Sequence, residues 1–345
     1  MSLEQAAISE CFARCWEALQ RSPDERQCRS LTASAISLTN HRMTGGFVSE
    51  DLCAALATRQ LPNGGWPALS SSLQSSVEAS ALAHLALASD SGLVGDQGTT
   101  FLLNVQNPNG SWPAFVGDDH WGSWTTSLAL IALRSVAEAS GQRLHGGEWL
   151  IRSAGKESNW FWKWKFRTTD RHVRLDPDKF GWPWIPDTNS WVVPTALAIL
   201  ALTQPGSKSS EVSKRRVELG IQMLLDRCCP GGGWNAGNGI VYGYSMAPHP
   251  DDTAIALLAL PRYAREPVVT ASVDWLACVA PRLSAPWSLA WSILALATHQ
   301  RPIDPLVRRL SGWPGLNEVE DNSTLAVSCL ALHPPRTLAR FGIAP

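Results

Sequence analysis

The sequence lacks any apolar run of the ~18–20 residues that a membrane-spanning helix needs. It lacks an excess of either charge: 29 basic residues stand against 30 acidic, a net charge of −1. That balance argues against a nucleic-acid partner held through phosphates and against a strongly basic membrane-docking surface. It lacks a Cys-x-x-Cys pair, and its eight cysteines are scattered apart from Cys228 and Cys229. Reduced thiols in a cytoplasmic protein fit this better than a disulfide frame or a zinc site. Period-2 alternation is nearly absent, so a β architecture has no pattern to rest on. The first twenty residues carry Glu4, Glu10 and Arg14 inside an apolar pattern, which predicts an amphipathic helix and not a signal peptide. What the sequence has in plenty is tryptophan, 17 residues in 345. An indole needs packing for its rings and a partner for its N–H, so this number implies a repeated structural task, an aromatic pocket, or both.

One phrase recurs six times. Its copies run from Val77 to Leu87, Ser123 to Leu133, Val192 to Leu202, Pro250 to Leu260, Pro286 to Leu296 and Asn322 to Leu332. Each is apolar on all faces and rich in alanine, the pattern of a buried helix that lets its neighbours approach closely. An amphipathic segment precedes each copy, at about 51–60, 99–106, 148–154, 212–227, 272–282 and 305–312. Six outer–inner pairs predict an all-α fold, a single α6/α6 toroid over 1–345. A helical extension is expected over 1–45, and an aromatic and basic insert over 155–185.

The connections carry a second signal. Gln60, Gly64 and Trp66 share the spacing QxxxGxW with Gln106, Gly110 and Trp112. The glycine supplies the turn after a helix, the Gln bonds the freed loop backbone, and the Trp covers the helix end. Cys228, Gly232 and Trp234 keep the frame with Cys in place of Gln, and Gly181 to Trp184 is a looser relative. Trp66, Trp112 and Trp234 are therefore assigned to structure.

These loops resemble the QW repeats of squalene–hopene and oxidosqualene cyclases, over about residues 50–335. A second stretch, His249-Pro250-Asp251-Asp252-Thr253-Ala254, resembles the DxDDTA acid motif of class II terpene cyclases, with His249 where the first Asp would stand. The resemblance implies a monodomain cyclase of isomerase type. It puts Asp251 in the place of the proton-donating acid, tuned by Asp252 and His249. The partner so implied is a small-molecule isoprenoid. No redox cofactor is called for, and magnesium only for a diphosphate substrate. The expected location is cytoplasmic, with transient contact with a membrane surface to collect a lipid; the oligomeric state is left open.

Protonating an alkene, a very weak base, needs a neutral carboxylic acid in a dry site. Two adjacent carboxyls help by raising one pKa, whereas a helix N-terminus favours the anion. Only the fourth inner-helix start carries two acids; the bland alternative for Asp251 is an N-cap. Glu78 stands at the equivalent place in the first copy, as a second acid or a first-turn carboxylate. Trp124, Trp191, Trp287 and Trp291, at or near inner-helix starts, and Tyr242 and Tyr244, just before the acid motif, can steady a cation through their ring faces or simply pack. Lys165, Arg167 and Arg171, among the basic and aromatic residues of the insert, can grip an anionic head group or form a solvated loop. Asp118, Asp119 and His120 are a weak metal set and predict a capping loop. Two other functions stay open: a carbohydrate-active α/α-toroid enzyme, and a non-catalytic toroid that binds a lipid or a protein. A protein prenyltransferase subunit would need a zinc set, which the sequence does not offer.

Overall fold

The computed structural model describes residues 45–88, 95–169, 174–203 and 210–343. The chain divides into Met1–His41, which lies outside the described residues, and Arg42–Pro345. Outer and inner helices alternate: α1 (Gly45–Thr58) and α2 (Val77–Leu87), α3 (Gly95–Asn104) and α4 (Thr125–Ala132), then α5 (Ser140–Arg152), an intervening α6 (Trp160–Thr168), and α7 (Val192–Leu202). They continue as α8 (Glu211–Asp226) and α9 (Pro250–Ala259), α10 (Pro267–Val279) and α11 (Pro286–Thr298), α12 (Asp304–Ser311) and α13 (Asn322–Ala331); α14 (Pro334–Arg340) follows. The inner helices pack in the cycle α2, α4, α7, α9, α11, α13 and back to α2. Each outer helix lies on the inner helix before it, and α1 lies on α13, so the ring closes. The described residues thus form the α6/α6 toroid the repeats predict. All eleven residues of α7 are buried, as an all-apolar helix requires. Several outer helices begin earlier than their apolar pattern, because polar first turns such as Ser140 to Gln142 carry no apolar periodicity.

The tryptophans of the connections make one tie four times over. Trp66, Trp112, Trp182 and Trp234 each donate an indole N–H to a leucine carbonyl at the end of the preceding outer helix, at 2.6–2.8 Å. Each also donates its backbone N–H to a hydroxyl on the following inner helix: Ser80, Thr126, Thr195 and Thr253, at 2.8–2.9 Å. Gln60 and Gln106 donate to the carbonyls of Gly64 and Gly110, both at 2.8 Å. Gly110 has φ +95°, and a Cβ there would collide with the His145 carbonyl. The Trp112 ring then rests on Gly146 of α5, where a Cβ would come within 2.6 Å of it. Trp66, Trp112 and Trp182, whose rings lie on Gly98, Gly146 and Gly220, therefore each join three helices: the outer and inner helices of their own pair and the outer helix of the next.

The outer-to-inner connections lie at the end of the ring where the inner helices begin, and they form its mouth. Two small hairpins belong to them, β1 (Trp66–Pro67) with β2 (Ser75–Ser76) and β3 (Ile240–Val241) with β4 (Tyr244–Ser245). At the other end α14 packs across α11, α13 and α2. Arg340 donates to the carbonyls of Leu85 and Ala88, and Arg336 to that of Ala88, groups left free at the end of α2. Phe341 sets its ring edge-on to Trp291, centroids 6.2 Å apart. The repeat pattern does not announce α14, which is short and starts with two prolines. No described helix is long and apolar enough to cross a membrane.

Candidate active site at the mouth

The acid motif opens α9. His249 is its N-cap residue, Pro250 the first helical residue, and Asp251 and Asp252 complete the first turn. His249 donates its backbone N–H to the Trp234 carbonyl at 2.8 Å, so the tie described above also fixes the motif. Its Nδ1 lies 2.8 Å from Asp252 Oδ2. Asp252 is buried, while Asp251 stays partly open. Burial raises the Asp252 pKa, the hydrogen bond from His249 opposes this, and the nearby Asp251 raises it further. The His249 pKa is raised, first by its bond to Asp252, against burial. The 2.8 Å contact therefore couples the two groups.

Glu78 holds the corresponding place in the first turn of α2, after the N-cap Ser76. Burial foremost, and then the charge of Asp321, push its pKa to about 8. Asp321 caps the adjacent inner helix, accepting the N–H groups of Ser323 and Thr324 at 3.3 and 2.9 Å and the Thr324 hydroxyl. At neutral pH Glu78 is a neutral carboxylic acid that keeps an opening to solvent. In the aligned repeats Glu78, Trp124, Val193, Asp251, Trp287 and Ser323 occupy one position. Four residues on, one turn deeper on the same face, stand Leu82, Leu128, Leu197, Ile255, Trp291 and Val327, all buried. The acids of the mouth thus sit above an apolar layer.

Trp287 and Trp291 meet edge-on at 5.7 Å, and Trp291 reaches Phe341, so an aromatic column runs from mouth to floor. Trp124 packs edge-on against Trp184 at 5.0 Å. Trp191 caps α7 and lines a small pocket with Phe166, Arg227 and Asn238. Tyr242 and Tyr244 are exposed on the β3–β4 hairpin. Lys165 lies 4.8 Å over the Trp162 ring and Arg167 pairs with Asp178. Arg171 lies outside the described residues. Asp119 accepts backbone N–H groups of Gly122 and Ala114, as a capping loop does. Among the described residues no cluster of three or more His, Cys, Asp or Glu side chains could hold a metal. Cys53, Cys228, Cys229, Cys278 and Cys329 are free thiols.

Sequence reasoning misses three groups. Glu157 and Arg227 form a buried ion pair at 2.7 Å; Arg227 also donates to the Ser190 carbonyl, and Glu157 accepts the Ser190 N–H. This network pins the insert to the ring. Arg216 stacks on Trp182 at 3.5 Å, and burial lowers its pKa to about 9. Asp321, beside Glu78, is the third. None has a local signature, since the partners come from distant parts of the chain.

No protein-family model matches the sequence, and no curated protein does. Solved structures resemble it in fold. A protein from Actinoplanes matches with a TM-score of 0.54 at 16% identity, over 84% of this chain and 99% of that one. A novel α-amylase from Clostridium perfringens matches with a TM-score of 0.60 at 9% identity, over 85% and 99%. At such identities the likeness is one of fold alone. A type II terpene cyclase from Scytonema aligns over 86% of this chain and 98% of its own at 16% identity, with a TM-score of 0.37.

Proposed function

We propose that the protein is a class II terpene or meroterpenoid cyclase that protonates an alkene of a linear isoprenoid. The observation that carries this reading is a set of carboxyl groups with raised pKa values, Glu78 and Asp252, at the lip of a ring whose next layer is apolar on all six inner helices. The resemblance of the QxxxGxW loops and of the motif at Asp251 supports it. Asp251, partly open to the mouth, gives its proton to a terminal alkene carbon. A C–H bond forms from the π pair, and the positive charge moves to the neighbouring carbon. The next alkene attacks that carbon; the last cation gives a neighbouring C–H proton to solvent water, its C–H pair forming the new alkene, and solvent returns a proton to the Asp251 carboxylate, so product and substrate have the same mass. Asp252 and His249, which meet at 2.8 Å, tune that acid. Ring faces such as Trp287 steady the cation by roughly 0.5–2 kcal/mol each.

A second reading is a carbohydrate-active enzyme. What favours it is the pairing of a protonated acid, Glu78, with carboxyls on other inner helices around an open, aromatic mouth. Glycoside hydrolysis uses one protonated and one ionised carboxyl, and an α-amylase shares the fold. One experiment separates the two. The purified protein is incubated with geranylgeranyl diphosphate, farnesyl diphosphate, squalene, a prenylated aromatic acid and a malto-oligosaccharide, and products are read by mass spectrometry. A cyclised isomer of unchanged mass, lost in Asp251→Asn, is the expected result. Shortened oligosaccharides with no isomer would replace the first reading by the second.

A further inference from the structure

Two cysteines meet where the ring closes. Cys53 stands midway along α1, the first outer helix, and Cys329 near the end of α13, the last inner helix. The two helices pack together, and two contacts fix their register as antiparallel. At one end Arg59 donates to Asn322 Oδ1 at 3.0 Å; at the other Ser49 Oγ lies 2.6 Å from His333 Nε2. One turn along α1 from Ser49 is Cys53, and one turn back from His333 is Cys329. The register alone therefore sets the two cysteines opposite each other. The Cys329 thiol donates a hydrogen bond to the Cys53 sulfur. Both are free thiols.

The two sulfurs differ as the members of a reactive pair must. Cys53 keeps an opening to solvent, whereas Cys329 is 3% exposed. The bond from Cys329 foremost, against burial, and then the charges of Arg336 and Arg340 lower the Cys53 pKa to about 7. About half of Cys53 is then thiolate at neutral pH, the form that attacks an oxidant. Cys329 donates that bond and is buried, and both effects keep it a thiol. Among the described residues no group of three or more His, Cys, Asp or Glu side chains could hold a metal. Oxidation is the chemistry that remains open to two touching thiols.

We propose that Cys53 and Cys329 are a redox pair that hydrogen peroxide converts to a disulfide, stapling the first outer helix to the last inner helix. The Cys53 sulfur attacks one peroxide oxygen. An S–O bond forms, the O–O bond breaks, and the departing hydroxide takes the proton Cys53 released and leaves as water. Cys53 is then a sulfenic acid. The Cys329 sulfur attacks Cys53 Sγ; the S–S bond forms, the S–O bond breaks, and hydroxide leaves with the Cys329 proton as a second water. The sulfurs lose two electrons, and the peroxide is reduced to water. A dithiol reductant reverses the change by exchange. The proposal does not depend on the cyclase reading.

It is tested on the reduced full chain, exposed to hydrogen peroxide, blocked with N-ethylmaleimide and digested without reductant for mass spectrometry. The expected result is a pair of peptides joined through Cys53 and Cys329 and split by dithiothreitol. Cys329→Ser should instead leave Cys53 as a sulfenic acid that dimedone traps, and Cys53→Ser should abolish the linkage. The oxidised protein should melt about 5 °C above the same sample treated with dithiothreitol, because the bridge closes a long loop. Maleimide on both cysteines after oxidation, or Cys53 joined to another cysteine, overturns the proposal. A linked protein that melts no higher overturns the staple. Should either variant misfold by circular dichroism, the peptide map of the unmodified chain decides.

Discussion

Glu78 is a carboxyl whose charge the fold sets. Its pKa is pushed from 4.5 to about 8, so between those values the folded chain holds a proton that the unfolded chain has released. Stability from this group is complete below pH 4.5 and is lost as pH rises through about 8, with a slope of at most about 1.4 kcal/mol per pH unit. Glu78→Gln should flatten the dependence of the melting temperature on pH across that window, and at pH 8 it should melt no lower than the unmodified protein. Parallel curves for the two proteins would mean that Glu78 ionises normally. At this scale the sequence is informative where helix starts can be counted: Asp251, Asp252 and Glu78 are legible as first-turn acids. It is silent on what faces them. Asp321 is not marked at all, and its effect on Glu78 arises because the last inner helix returns to the first, which no local pattern records. The ion pair of Glu157 and Arg227 spans 70 residues for the same reason.

At the scale of the element, hydroxyls tie the inner helices to the connections, in addition to apolar packing. Thr126 accepts the Trp112 N–H at 2.9 Å, whereas the neighbouring Ser127 has a buried hydroxyl with no partner among the described residues. Thr126→Val leaves a buried N–H unpaired, at a cost of about 1–3 kcal/mol. Ser127→Ala removes a group that was already unpaired, and should be neutral or stabilising. Urea denaturation with an unchanged m value reads both; equal losses would refute the tie as a source of stability. The QxxxGxW spacing makes the Trp, the Gln and the turn glycine legible. The glycine socket on the next outer helix is not, because Gly146 on α5 looks like a weak point in a helix until the Trp112 ring is seen on it. Trp182 makes the same two bonds without the motif's Gln, having Asp176 at that place, so the tie is broader than its sequence signature.

For the whole molecule, six copies of one phrase are enough to count the pairs, and the all-apolar inner helices are enough to sort inner from outer. Closure of the ring is not written in any copy. An open array of repeats gains stability from each neighbour in turn, but a ring must also join its first and last members. Here Arg59, at the end of α1, donates to the carbonyls of Val319 and Asn317 at 2.6 and 2.8 Å and to Asn322 Oδ1 at 3.0 Å. Asn322 donates back to the Pro67 carbonyl at 2.8 Å. Arg59→Ala should therefore cost about 1.5–3 kcal/mol, and its effect should be felt on both sides of the seam. Arg143 is the contrast, since its three bonds, to the carbonyls of Leu133, Arg134 and Val136, lie within one stretch of chain. In hydrogen exchange, Arg59→Ala should lower protection in α1 and α13 together, although the two are far apart in sequence. Arg143→Ala should lower it only around α4 and α5. A loss confined to α1 in the first variant would mean that the seam is held by apolar packing of α1, α2 and α13, and that Arg59 is a local brace.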